Sequence, residues 1–263
     1  MKLEPTGERM ILEHYKSSPE DFVIYLMHMA SYRFAEPYTR GRRVLDFGCG
    51  SGYGSDQIAR TADRVTAVDV ADDAIAYARG QFRRANLEFR AIDPAEPLPF
   101  SDASFDVILS FQVFEHVSDP SHYLSEVRRL LAPNGNLILI TPDRSTRLLP
   151  RQRPWNRWHV HEYGKRELAA VLASHFDQIE VLGMTARPEM IGYELRRCNR
   201  VKWLMLPFTL PIMPDRWRVA CLNFVHRIRG RRIGQPRDYP FDVNDVRIAA
   251  DAAPSVNLVA VVS

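Results

Sequence analysis

The chain has 263 residues, 46% of them hydrophobic and 25% charged, with a formal net charge of only +3. Those values suit one α/β domain with a substantial core plus an insertion, with apolar and charged fractions ordinary for a soluble globular protein. Three cysteines without metal-ligand spacing or an even disulfide count, no apolar stretch after Met1, and no run of ~20 apolar residues predict a reducing, cytoplasmic setting.

In chain order, residues 6–35 read as helix, with Phe22, Ile24, Tyr25, Leu26 and Met29 among its apolar positions and Pro37 as its break. Strands are predicted at 43–48, 64–69, 87–92, 105–111 and 136–141, with helical stretches between them. A helix over 167–174, a sixth strand at 178–182 and a terminal apolar strand at 256–262 follow. Alternation of this kind predicts a parallel sheet with right-handed crossovers. The expected organisation is a helical lid (1–40), an α/β core (41–186), a basic helical insertion (187–240) and a return to the core (241–263).

The first strand runs into Val44-Leu45-Asp46-Phe47-Gly48-Cys49-Gly50-Ser51-Gly52-Tyr53-Gly54. Glycines at 48, 50 and 52 let the backbone approach a ligand where a Cβ would clash. A dinucleotide site would place a third glycine where Tyr53 stands, and Asp46 would repel a pyrophosphate. The same carboxylate can instead bind the ammonium of an amino-acid moiety, which points to S-adenosylmethionine. Asp69 ends the second strand 17 residues beyond Gly52, where a ribose-binding acid belongs in a βαβ unit.

The stretches 44–54, 65–79, 93–117 and 131–142 together resemble the class I S-adenosylmethionine-dependent methyltransferases, type 11 subgroup. That resemblance implies a Rossmann-like α/β fold whose seven-stranded sheet has its last strand antiparallel between the fifth and sixth. It also implies site roles: Asp46, Gly48, Gly50 and Gly52 at the methionine side, Asp69 on the ribose, Val70 and Asp93 on the adenine, and Phe111 and Gln112 beside the cofactor. S-adenosylhomocysteine would be the product.

Methylating a hydroxyl requires loss of a proton from a weak acid, so a general base or a metal is expected. Candidates are His116, after the fourth strand, and His159, His161 and Glu162, in the loop after the fifth. His159 and His161 should face opposite ways in an extended loop. Asn156, His159, Glu162 and Tyr163 match a pattern of the resembled subgroup. Glu162 could alternatively cap the following helix while His159 bonds the backbone. No defined metal-site spacing is present, although two histidines with Glu162 and Asp143 offer a remote option.

Residues 187–237 carry 12 Arg or Lys against 3 Asp or Glu, a net of +9. Within them lies Trp203-Leu204-Met205-Leu206-Pro207-Phe208-Thr209-Leu210-Pro211-Ile212-Met213-Pro214, too short to span a bilayer. The segment reads either as a solvated cap on the core, as a contact of 196–232 with a membrane or lipid-linked substrate at the inner membrane face, or as a protein interface. Ser110-Phe111-Gln112-Val113 disfavours nucleic-acid amino methylation. The Thr6-Gly7-Glu8-Arg9 opening, the histidine loop and the basic insertion are similar to methyltransferases of bacterial surface-polysaccharide and glycolipid pathways. Sugar O-methylation is the expectation. A small metabolite (polyketide, quinone or phenolic lipid) and a non-catalytic cofactor-binding scaffold are the alternatives.

Overall fold

The computed structural model describes residues 15, 16, 18–94, 96–228 and 237–263, with the side chains of 215 and 224–228 left out of account. The opening at 6–9, most of the first half of the expected 6–35 helix, and residues 229–236 of the basic segment lie outside the described residues.

Helix α1 (Pro19–Thr39) starts at Ser18, whose hydroxyl accepts the Asp21 N–H at 3.0 Å, with Pro19 in the first turn, where its missing N–H costs nothing. It does not break at Pro37. A proline in the last turn forfeits one bond, and the Arg40 N–H still closes on the Glu36 carbonyl at 3.1 Å. The core follows as β1 (Arg43–Phe47), α2 (Tyr53–Ile58), β2 (Arg64–Asp69), α3 (Asp72–Gln81), β3 (Leu87–Ala91), β4 (Phe105–Phe111), α4 (Pro120–Leu130) and β5 (Leu131–Pro142). Next come α5 (Arg144–Arg147), α6 (Lys165–Leu172), β6 (Ile179–Ala186), α7 (Pro188–Thr209), α8 (Asp215–Ile228), β7 (Val246–Ala249) and β8 (Asn257–Val262).

The strands form one mixed sheet in the order β3-β2-β1-β4-β5-β8-β6-β7. β1 to β5 pair in parallel, and β8 runs antiparallel between β5 and β6. The sheet has eight strands, not seven. The extra strand β7 pairs antiparallel with Gly183–Ala186, which also carries β6 four residues past its expected end. Four half-exposed residues and a Gly-Met-Thr-Ala stretch give little periodicity, so pairing alone makes these segments strand.

Both sheet faces are covered, as a parallel sheet requires. Alternation along each strand sends Val44, Val107, Ile138 and Ile140 to a core shared with α1, α2 and α7. Leu45, Ile108, Leu137 and Leu139 face the opposite core, completed by Leu124, Val127, Leu168 and Leu172 of α4 and α6. Between β6 and β7 the chain forms α7 and α8, which pack together, and α1 packs against α2, α7 and β4. Among the described residues no helix is long and apolar enough to cross a membrane. The carboxyl ends of β1, β2, β4 and β5 share one rim of the sheet, and the chemistry gathers there.

Candidate active site

The turn after β1 is built on close approach. Gly48 has φ +84°, and a Cβ there would stand 2.3 Å from Val113 Cγ2, so the loop after β4 lies directly against the glycine turn. Gly52 has φ +82°, and its Cβ would meet Ala78 and the Phe89 ring at 2.7 Å. Neither position has room for a side chain. At Gly54 a Cβ would fall 1.9 Å from the Tyr32 ring, so α1 seats itself on α2 at that point.

Asp46 is buried at the end of β1. Its Oδ2 accepts the Ser55 hydroxyl at 2.6 Å and the Tyr32 hydroxyl at 3.4 Å, while Oδ1 is buried with no partner. Burial pushes this carboxyl up to about 6, the Ser55 and Tyr32 hydrogen bonds work against the rise, and the Asp69 charge adds to it. A buried carboxylate oxygen without a donor is what the ammonium of a bound amino-acid moiety would satisfy. Asp69 accepts the Gly50 N–H at 2.8 Å and the Ala71 N–H at 2.9 Å. A carboxylate offers about four acceptor sites, so ribose hydroxyls can be added without displacing either bond. Beside it Val70 is 59% exposed, an apolar surface open to a flat ring.

The other expected cofactor contacts vary in placement. Asp93 stands exposed in the turn after β3, its carbonyl accepting the Glu96 N–H. Phe111 is buried with Tyr32 edge-on to its ring at 5.0 Å. Gln112 takes φ +57°, and its side-chain amide donates to Asn257 Oδ1 of β8 at 3.3 Å. The glycine cradle, the unmatched Asp46 Oδ1 and exposed Val70 therefore fit S-adenosylmethionine.

Beyond β4 a single 3₁₀ turn, Phe114–His116, delivers a second cluster. Glu115 is buried, with Oε2 accepting the Thr141 hydroxyl at 2.9 Å and Oε1 lacking a partner. Burial raises its carboxyl above the usual range, against the pull of His159 and His116. Its backbone carbonyl accepts both the Val160 and His161 N–H groups, which pins the histidine loop to β4. His116 Nδ1 lies 3.0 Å from the Trp158 carbonyl, and the His116 and His159 rings meet edge to face at 4.9 Å.

His159 is buried, with Nδ1 2.8 Å from Glu162 Oε1, and Glu162 Oε2 takes the Arg147 Nε–H at 3.1 Å. Although burial works to raise it, the Arg147 charge and the His159 bond hold the Glu162 carboxyl below its ordinary value. Arg147 lies 4.2 Å over the Trp155 ring. His159, Glu162 and Arg147 thus form a buried chain, and His116 joins it through the ring contact.

Some expectations change here. Glu162 does not cap the next helix: Gly164 is the cap residue before α6, and its N–H donates to Glu167 at 3.3 Å. Nor does His159 Nδ1 turn to the backbone. His161 stands apart, with Nε2 2.7 Å from Glu167 Oε1, as alternation in an extended loop predicts. Asp143 caps α5, accepting the Ser145 N–H at 2.8 Å, so the three candidate metal ligands drawn together are Glu115, His116 and His159. Arg147 and Tyr32 were not legible as site residues, because nothing local marks a helical arginine or tyrosine as a partner of a distant acid.

A cavity of about 270 Å³ opens between the histidine loop and α8, lined by Arg157, Trp158, Val219 and Asn223. Arg157 donates to Asn223 Oδ1 at 2.8 Å and stacks on the half-exposed Trp158 ring at 4.4 Å.

Residues 45–139 match a methyltransferase-domain family. Among curated proteins, a Mycobacterium tuberculosis protein named as a probable S-adenosylmethionine-dependent methyltransferase is 35% identical over 196 residues, 73% of this chain and 68% of the relative. A ubiquinone biosynthesis O-methyltransferase of Paracidovorax citrulli is 30% identical over 188 residues, 63% of this chain and 76% of the relative. Among solved structures, an S-adenosylmethionine-dependent methyltransferase from Mesorhizobium loti superposes with a TM-score of 0.54 at 19% identity, covering 65% of this chain and 93% of that one.

Proposed function

The chain belongs to the S-adenosylmethionine-dependent methyltransferases, and from that premise we propose that it O-methylates a hydroxyl on a sugar, polysaccharide or glycolipid precursor. When bound, S-adenosylmethionine supplies a methyl group on a positively charged sulfur, so a C–O bond forms at the acceptor, the C–S pair stays on sulfur and one proton must leave the hydroxyl. Asp46, Gly48, Gly50 and Gly52 would hold its methionine end, Asp69 its ribose, and Val70 and Asp93 its adenine. Phe111 and Gln112 would lie alongside.

The observation that carries the hydroxyl reading is the buried His159–Glu162–Arg147 chain next to His116. In a neutral His159 the Nδ1 proton goes to Glu162, which puts the ring's lone pair on Nε2 and stabilises the imidazolium once a proton arrives there. Arg147 keeps Glu162 ionised for that task. Nitrogen acceptors with their own lone pair do not need such a base. Arg157 and the face of Trp158 suit the hydroxyls and the apolar face of a sugar ring. His161 is an auxiliary candidate through its bond to Glu167.

The exposed Trp203, Leu204, Ile212 and Trp217, with exposed Arg200 before them and exposed Arg216 among them in sequence, suit a lipid-linked acceptor at the inner membrane face. A phenolic or quinone-like metabolite is the second reading, supported by the name of the P. citrulli relative. The test is transfer of a labelled methyl group to a panel of glycosides, lipid-linked sugars and catechols. Labelled methyl ethers on sugars support the first reading; labelling confined to catechols or amines refutes it.

A further inference from the structure

We infer that Glu115, His116 and His159 form a binding site for a divalent first-row transition-metal ion. Each contributes one candidate ligand atom, and these atoms lie within 4.8 Å of one another although they come from two separate loops. A cation with bonds of about 2.1 Å needs ligand atoms roughly 3–3.5 Å apart, so side-chain torsions that close the separations by up to roughly 1.5 Å complete the set.

Two features point to a cation and not to a chance gathering of polar groups. First, both imidazoles have Nδ1 held from behind, His159 by the Glu162 carboxylate at 2.8 Å and His116 by the Trp158 carbonyl at 3.0 Å. Metal-ligating histidines are oriented in this way, with the tautomer set so that Nε2 carries the lone pair. Second, Glu115 Oε1 is buried and lacks a partner, while Thr141 fixes the other oxygen of the same carboxylate.

Two imidazoles and one carboxylate suit Zn²⁺, Fe²⁺, Co²⁺ or Mn²⁺ better than Mg²⁺ or Ca²⁺, which favour all-oxygen shells. Three protein ligands also leave a position open, as in catalytic centres. The open position would take the acceptor hydroxyl and acidify it, its proton leaving to solvent water. That use rests on the hydroxyl reading above; cation binding does not.

The experiment is a titration of untagged, chelator-dialysed protein with Co²⁺, followed by visible d–d absorption and by calorimetry. The expected result is saturation at one equivalent, loss of the signal in Glu115→Gln and His159→Ala, and an affinity weakened about 10–100-fold in Glu162→Gln. Circular dichroism shows whether each variant is folded, and a wild-type titration without saturation refutes the site whatever the variants do. A Co²⁺ signal unchanged in folded Glu115→Gln also refutes it. Methyl transfer to a hydroxyl that persists in excess chelator removes the metal from the reaction and leaves the base reading standing. One-equivalent Co²⁺ binding with no hydroxyl accepted does the reverse.

Discussion

Replacing Asp46 by asparagine should stabilise the cofactor-free protein while damaging its function. The Asp46 carboxyl is fully buried and pushed from 3.8 to about 6. At roughly 1.4 kcal/mol per pH unit, that displacement means the ionised form costs the native state about 3 kcal/mol at pH 8. Because the folded value lies above the unfolded one, stability is greatest below the unfolded value, with the carboxyl protonated. It falls as pH rises from about 4 through about 6 and levels off above. Asparagine keeps an oxygen to accept the Ser55 and Tyr32 hydroxyls and carries no charge. The stability difference, variant minus wild type, should therefore be near zero at pH 3.5 and rise to ~3 kcal/mol by pH 8, read from urea unfolding midpoints across pH. S-adenosylhomocysteine binding should be strongly weakened in the variant, and in the wild type it should fall up to tenfold per pH unit below about 6. A difference that does not vary with pH, or an asparagine variant less stable at pH 8, would refute the reasoning.

The Asp69→Ala variant should bind S-adenosylhomocysteine at least tenfold more weakly by calorimetry, since the ribose acid and two backbone anchors go together; unchanged affinity would show that the ribose assignment is wrong. Gly54→Ala drives a methyl group into the Tyr32 ring and should cost about 1–3 kcal/mol in urea unfolding, and the same substitution made in a Tyr32→Ala background should cost much less, as a double-mutant cycle would show. Vesicles containing anionic lipid should retain the protein at low salt and release it as salt rises, and substituting both Trp203 and Trp217 by alanine should reduce retention. Failure to co-sediment at low salt would remove the membrane reading.

What could be read from the sequence follows the range of the interactions. The glycine turn and Asp69 are local: positive φ, a tight approach and a strand-end acid all leave their mark within a few residues. Nine of the ten ends of the five parallel strands come within one residue for the same reason, whereas β5 starts at Leu131, which pairs with Phe105 across a bulge. β7 pairs only with β6, and the last two residues of β6, Thr185 and Ala186, pair only with β7. The cluster at Glu115 shows the limit most clearly. The sequence offers Glu162 and Asp143 as companions of the two histidines, but Glu162 sits between His159 and Arg147, and Asp143 caps α5. The carboxylate that joins His116 and His159 is the one adjacent in sequence to His116, buried by a single 3₁₀ turn that periodicity does not announce.

Helix α1 gives the molecule a means of relaying mechanical information. Its Tyr32 hydroxyl touches Asp46, the acid assigned to the cofactor's ammonium, and the same helix packs along α7 in the basic layer. A displacement of α7, whether by a docked surface or by a substitution, would act on the helix that helps solvate this one buried carboxyl at the sheet rim. Mutations on the α7-facing side of α1 are expected to alter cofactor affinity without touching any cofactor ligand.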